Sequence, residues 1–274
     1  MIRLLDLPNE VLLHIFGSAE SVRDVFNLAR TCMRLGHLYR DDTNLKTILN
    51  SIAANIVMPK NPDSTWLKTH FRVENLRTPD ASILAAIEHV ETRTFLSTVG
   101  FPGCSTLTAR LTSQNMSHLH RRHFRVFNAD IRDVDPPVLA GDYIYIGSVI
   151  ECTVLFGTSK GDMIFYVFPG LYRIRCEHLC LGSAATSVSS FLVLLGTLLE
   201  FRRQVQEVVD LCIPSELQPR LHIYETFLRR VYARMREYGD LPERYDSFWH
   251  RIFGKFNLAF PFLYRQRTVS HSTA

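Results

Sequence analysis

This chain has little of what marks the specialised protein classes. Its six cysteines, at positions 32, 104, 152, 176, 180 and 212, are scattered through 274 residues rather than framed at short spacings. That usage builds no disulfide scaffold. Met1-Ile2-Arg3 leads straight into a segment with Asp6 and Glu10, which is not a signal-peptide pattern. The thiols are therefore expected to be reduced, in the cytoplasm or nucleus. Neither sign of charge dominates. Lys and Arg total 31 against 27 Asp and Glu, and a net charge of +4 does not demand a nucleic-acid partner. Long apolar runs are also missing. Residues 179–199 carry no charge, but Gly, Ser, Thr and Ala dilute the stretch, and only residues 191–199 are strongly apolar. A membrane span needs ~20 such residues. A buried helix and no membrane partner are expected.

Complete catalytic or metal-binding sets are missing too. Gly157-Thr158-Ser159-Lys160-Gly161-Asp162 lacks the spacing of a phosphate loop and falls between two strand-like stretches, so it reads as a hairpin connection. Cys176, His178 and Cys180 would share one face of a strand, but no fourth zinc ligand stands at a suitable spacing. Ser117-His118-Leu119-His120-Arg121-Arg122-His123 gathers histidines and arginines without a nearby acid or thiolate. It reads as a solvated connection, with a phosphate-contacting patch or a metal site as alternatives. No catalytic residue, metal or cofactor is expected.

What is present is an ordinary globular composition, 46% hydrophobic and 21% charged. The length suits one small module and one domain of roughly 200 residues. The polar, proline-rich break Met58-Pro59-Lys60-Asn61-Pro62-Asp63-Ser64 separates them, which places a module at residues 1–57 and a domain at residues 65–267.

The first fifty residues are the most patterned. Leu7-Pro8 stands at a helix start, where the missing proline N–H costs nothing. Glu10 sits where the helix dipole favours an acid. Val11, Leu12, Ile15 and Phe16 follow at helical spacing, and Gly17 reads as the stop. Ser21 with Asp24 predicts a second helix start, followed by Val22, Val25, Phe26, Leu28, Ala29 and Cys32. Arg30 to Arg34 and Gly36 read as the way out. A third helix opens near Asp41, Asp42 and Thr43 and carries Leu45, Ile48 and Leu49. Three such helices cannot bury all these apolar side chains alone, so some must face the rest of the chain or a partner.

Leu7-Pro8-Asn9-Glu10-Val11, Ile15-Phe16, Asp24-Val25, Leu28-Ala29 and Thr31-Cys32-Met33-Arg34 with Leu35 and Leu38 come in the order and spacing of an F-box, which this segment resembles. It departs from the family pattern at Gly17-Ser18, where an aromatic or Ser-Tyr-Leu ending is usual, and at Tyr39 or Leu45, where many members carry tryptophan. The resemblance implies a surface that docks on the Skp adaptor of a cullin-RING ubiquitin ligase, with the remainder of the chain choosing an unidentified target protein. It would account for apolar residues left over at the surface. It places Leu7, Pro8, Val11, Ile15, Val25, Leu28 and Leu35 at or just behind the adaptor contact.

Beyond the break, residues 65–70 read as a helix, and Pro79-Asp80 as the start of another with Ala81, Ile83, Leu84, Ile87 and Val90 on its apolar stripe. Residues 92–103 read as irregular. Short strands at 123–127, 143–146, 150–156, 163–168 and 171–175, joined by turns, predict an antiparallel sheet. The run of Leu155-Phe156-Gly157, Gly161-Asp162, Tyr172-Arg173-Ile174 and a helix from Ser187 is similar to the SUKH superfamily of α+β domains, which would imply a protein-binding module. Pro214-Ser215 predicts a helix start. Leu221, Tyr224, Phe227, Leu228, Val231, Tyr232 and Met235 recur at three and four, with Arg220, Arg229, Arg230, Arg234 and Arg236 mainly on the other face. A last helix is predicted from Pro242 to Phe256, followed by the aromatic residues 260–264.

The expected fold is thus α+β: an N-terminal three-helix F-box, then a mixed domain with an antiparallel sheet and C-terminal helices. The expected function is a non-catalytic adaptor that binds Skp and, through it, cullin. The alternative is an enzyme or phosphate-binding protein whose N-terminal helices are merely a structural cap.

Overall fold

The structure, a computed structural model, describes residues 4–105, 109–111, 143–149, 152–159, 161, 163–167, 182–212, 217–239, 248–249 and 252–253. The chain divides into two compact units, residues 1–59 with 194–241 and residues 60–193 with 242–274.

In the first unit, a turn of 3-10 helix at Leu4–Asp6 precedes α1 (Asn9–Gly17). The Pro8 carbonyl accepts from the Val11 and Leu12 amides, each at 3.1 Å, and opens α1. Ser21 Oγ accepts from the Asp24 amide at 3.0 Å and opens α2 (Val22–Ala29), as the Ser-Asp spacing predicts. Residues 33–40 are not a connection but a separate helix, α3 (Met33–Arg40), with Cys32 Sγ accepting from the Leu35 amide at 3.5 Å. Gly36 lets α3 close on the end of α2, since a Cβ there would stand 3.3 Å from the Ala29 carbonyl oxygen. Asp41 Oδ1 accepts from the Asn44 amide at 2.8 Å and opens α4 (Asp42–Ala54).

Leu45, Ile48, Leu49, Ile52 and Ala53 of α4 are all buried. This helix packs against α1, α3 and α9 (Leu221–Gly239). On α9 the predicted stripe is buried at Tyr224, Phe227, Leu228, Val231 and Met235, while Arg229, Arg230 and Arg234 are exposed. The strongly apolar part of the uncharged stretch, residues 191–199, lies in α8 (Val188–Leu211), where residues 191–198 are buried, and the part of α8 from residue 194 onward belongs to this unit. Gln204 Oε1 of α8 accepts from the buried Val22 amide at 3.0 Å. Phe201 meets Phe227 edge-on at 5.7 Å. The N-terminal helices therefore place part of their surplus apolar surface against the chain's own later helices.

In the second unit, Asp63 Oδ1 accepts from the Trp66 amide at 2.7 Å and opens α5 (Ser64–Phe71). Strand β1 (Leu76–Arg77) pairs antiparallel with β2 (Phe101–Pro102). The single helix expected from Pro79-Asp80 to Val90 is broken into α6 (Ala81–Ala86) and α7 (Val90–Thr98), and α7 occupies much of the stretch read as irregular. The break has a visible cause. The Glu88 and His89 amides both donate to the Thr158 carbonyl at 2.9 Å, and the His89 side chain accepts from the Thr92 amide at 3.3 Å. Val90, placed on an apolar stripe by its spacing, is 62% exposed.

Among the described residues the main sheet has six antiparallel strands, each pairing with the next in chain order: β3 (Cys104–Ser105), β4 (Ala109–Leu111), β5 (Tyr143–Val149), β6 (Cys152–Gly157), β7 (Met163–Val167) and β8 (Gly182–Ala185). The hairpin between β6 and β7 falls where its glycines predict. Gly161 has φ +72°, its amide donates to the Gly157 carbonyl at 2.9 Å, and a Cβ there would lie 2.4 Å from His89 Nδ1. Trp249 Nε1 donates to the Ala184 carbonyl at 2.6 Å, and its ring packs with Phe191 and Phe248. The architecture is mixed α+β.

Several expectations lie outside the described residues: the strands at 123–127 and 171–175, the histidine-arginine stretch, Cys176, His178 and Cys180, the helix start at Pro214-Ser215, most of the helix from Pro242, and residues 260–264.

Candidate docking surface on the N-terminal helices

Helix α1 has two distinct sides. Leu12, Phe16 and Gly17 are buried. Pro8 and Val11 are exposed, with Val11 at 42%, and Leu7 and Ile15 are half-buried. Positions 8, 11 and 15 share a side because three- and four-residue steps return to the same helix face. Leu28 on α2 is half-buried. Val25 on α2 and Leu35 on α3 are in the core at 0% and 1% exposure. Of the residues singled out by sequence, Pro8 and Val11 are thus directly available to a partner. Leu7, Ile15 and Leu28 are partly so. Val25 and Leu35 stand behind the surface and hold it.

Gly17 proves to be a packing residue rather than a left-handed helix stop. Ser18 follows it with ordinary right-handed angles. Ser51 Oγ of α4 donates to the Gly17 carbonyl at 3.0 Å, and a Cβ at Gly17 would stand 3.1 Å from that same oxygen. A side chain at this position would crowd Ser51, which would have to give by a few tenths of an ångström.

Sequence reasoning passed over three residues of this region. Leu4 is exposed at 45% and adds apolar surface just before the Leu7-Pro8 turn. Met33, at 81%, is among the most exposed large apolar side chains described. Arg34 is a clamp: its Nη2 donates to the Leu7 carbonyl at 2.8 Å and to Asn9 Oδ1 at 2.7 Å, which fixes the turn carrying Leu7 and Pro8 to α3. The signal was the Thr-Cys-Met-Arg block itself, whose arginine and methionine were read as pattern rather than as groups with work to do.

Behind this surface, Tyr39 of α3 and Tyr224 of α9 share a buried hydrogen bond with 2.6 Å between hydroxyl oxygens. Burial pushes both hydroxyls upward from the usual tyrosine value, Tyr224 to about 12. Phe26 packs edge-on against Tyr39 at 6.0 Å.

Among the described residues, no group of three or more His, Cys, Asp or Glu side chains could hold a metal ion, and no helix is long and apolar enough to cross a membrane. No curated protein and no solved structure matches the chain, so the SUKH likeness gains no support. Residues 4–49 match the F-box-like family. Helices α1 to α3 and the first half of α4 therefore constitute an F-box-like segment at the N-terminal end of the chain.

Proposed function

We propose that this protein is a non-catalytic substrate-recognition adaptor of a Skp-cullin-F-box ubiquitin ligase, working in the cytoplasm or nucleus. The F-box-like segment docks on the Skp adaptor and reaches cullin through it, and residues beyond the proline-rich break select the target protein. The observation that carries this reading is the match of residues 4–49, in which the Pro8 and Val11 side chains are exposed while Leu12, Phe16 and Gly17 of α1 are buried. An apolar residue kept at the surface of a well-packed helix is what a protein interface requires.

The rival reading is a structural cap on a domain of other function. It draws on the packing of α4 with α9, which shows that the N-terminal helices also serve the fold. Pull-down of Skp and cullin with the full chain separates the two. The adaptor reading expects capture by the wild type and loss with Val11→Glu or with Leu7→Ala plus Pro8→Ala, at unchanged circular dichroism. Failure of the folded wild type to capture Skp would leave the structural cap as the better account.

A further inference from the structure

A second surface lies in the first unit, and no α1 residue is among its lining. Helices α2 and α3, the end of α8 and the start of α9 border a cleft of about 670 Å³. Phe26 and Leu217 supply buried apolar lining. Met33 and Leu211 also line it, and they are 81% and 58% exposed, so the cleft opens to solvent between apolar edges. Arg30, His37, Arg40 and Arg220 contribute to the same lining, and among the described residues no Asp or Glu does. Arg220 is already engaged by Asp42 at 3.3 Å and by the Arg40 carbonyl. Arg30 lies over the Phe26 ring at 5.7 Å, and its exposed guanidinium is paired with no carboxylate among the described residues. The exposed side chains of His37 and Arg40 complete the basic rim.

An apolar floor under a rim of cations sets two demands on an occupant. It must bring a bulky apolar group to cover Met33 and Leu211, and negative charge to meet Arg30 and Arg40 beside His37. A simple anion meets only the second demand, and a neutral apolar chain only the first. We propose that this cleft captures an acidic peptide segment bearing a bulky apolar side chain, supplied by a protein partner other than the Skp adaptor. The apolar side chain seats between Met33 and Leu211, where methionine adapts to varied shapes. The flanking carboxylates meet the rim. The proposal goes beyond the docking reading and stands without it.

The test uses the full chain and a fluorescein-labelled octapeptide with Leu-Trp at its centre flanked by Asp and Glu, followed by fluorescence polarisation up to about 1 mM protein. Two control peptides replace the acids by lysine or the Leu-Trp by Ser-Ser. Saturable binding of the acidic Leu-Trp peptide is expected, weakening with added salt. Arg30→Glu with Arg40→Glu should weaken it at least about tenfold, and Met33→Ser should weaken it without changing the salt dependence. These side chains are exposed, so the variants are expected to fold, and the salt titration tests the charge argument on the wild type alone. The proposal is overturned by no binding, by equal binding of either control peptide, or by charge-reversed variants that bind as the wild type does. Capture of Skp by the Arg30→Glu, Arg40→Glu variant should be unchanged, and joint loss of both would assign the cleft to the adaptor and also overturn the proposal.

Discussion

Replacing Tyr39 by phenylalanine removes one hydroxyl and leaves the ring in place. Tyr39 is 5% exposed and Tyr224 is 1% exposed, and their oxygens are 2.6 Å apart. The single variant leaves the Tyr224 hydroxyl buried with no partner, which costs about 1–3 kcal/mol because the group has lost water without replacement. Tyr224→Phe strands the Tyr39 hydroxyl and should cost a similar amount. The double variant removes both polar groups and strands neither. Its cost should therefore fall below the sum of the singles, with a coupling of about 1–2 kcal/mol, inside the range for residues in direct contact. Urea denaturation of the full chain, followed by near-ultraviolet circular dichroism, measures all four corners of this cycle. Single variants that cost nothing, or a double variant equal to the sum, would refute the pairing of the hydroxyls and with it this link between α3 and α9.

The same pair predicts an alkaline limit. Burial raises both hydroxyls in the folded state, so above pH ~10 the unfolded chain releases protons that the folded chain keeps. The stability they contribute is full below pH ~10 and is lost as pH rises through the folded values, about 12 for Tyr224, at roughly 1.4 kcal/mol per pH unit for each tyrosine. Urea midpoints should fall on that side, and the Tyr39→Phe, Tyr224→Phe double variant should flatten the fall. Gly17→Leu should destabilise by about 1–3 kcal/mol through overpacking against Ser51, seen as a lower melting temperature, even though larger residues are usual at this position of the F-box pattern. Gln204→Leu should cost about 1–3 kcal/mol by stranding the buried Val22 amide, and amide exchange in the first turn of α2 should quicken. Arg34→Ala should leave the global melting temperature nearly unchanged and speed exchange of the amides around Leu7 to Asn9, because it releases a turn rather than a core.

Local signals in the sequence located helices α1, α2, α4, α5 and α9, the start of α8 and strands β5 to β7, and gave no sign of β1 to β4 or β8. Ser21 with Asp24, Asp41 and Asp63 each cap the helix that follows, because a short polar side chain finds its partner within three residues. Glycines at 157 and 161 and the apolar runs beside them located the β6–β7 hairpin for the same reason. What stayed hidden depends on residues far apart in the chain. The split between α6 and α7 needs the Thr158 carbonyl, and Gly17 needs Ser51. The three-and-four spacing of Val90 gave it an apolar role that the break at residues 87–89 removed. The helix at Met33–Arg40 was missed because Gly36 reads locally as a breaker, while its real value is the space it leaves for Ala29.

The candidate docking residues show how one motif mixes two kinds of selection. Val25 and Leu35 match the F-box pattern but are buried at 0% and 1% exposure, so polar substitution there would damage the core before it could report on a partner. Pro8 and Val11 match the same pattern from the solvent side, where a change leaves the packing of Leu12 and Phe16 untouched. A sequence motif weights these positions equally because each is needed, one set to make the surface and the other to be it. Burial separates them. It also explains why α3 can serve two surfaces: Leu35 and Leu38 face inward, Arg34 secures the Leu7 turn, and Met33, His37 and Arg40 line the basic cleft. A helix of eight residues carries three roles because its turns present a different side at each step.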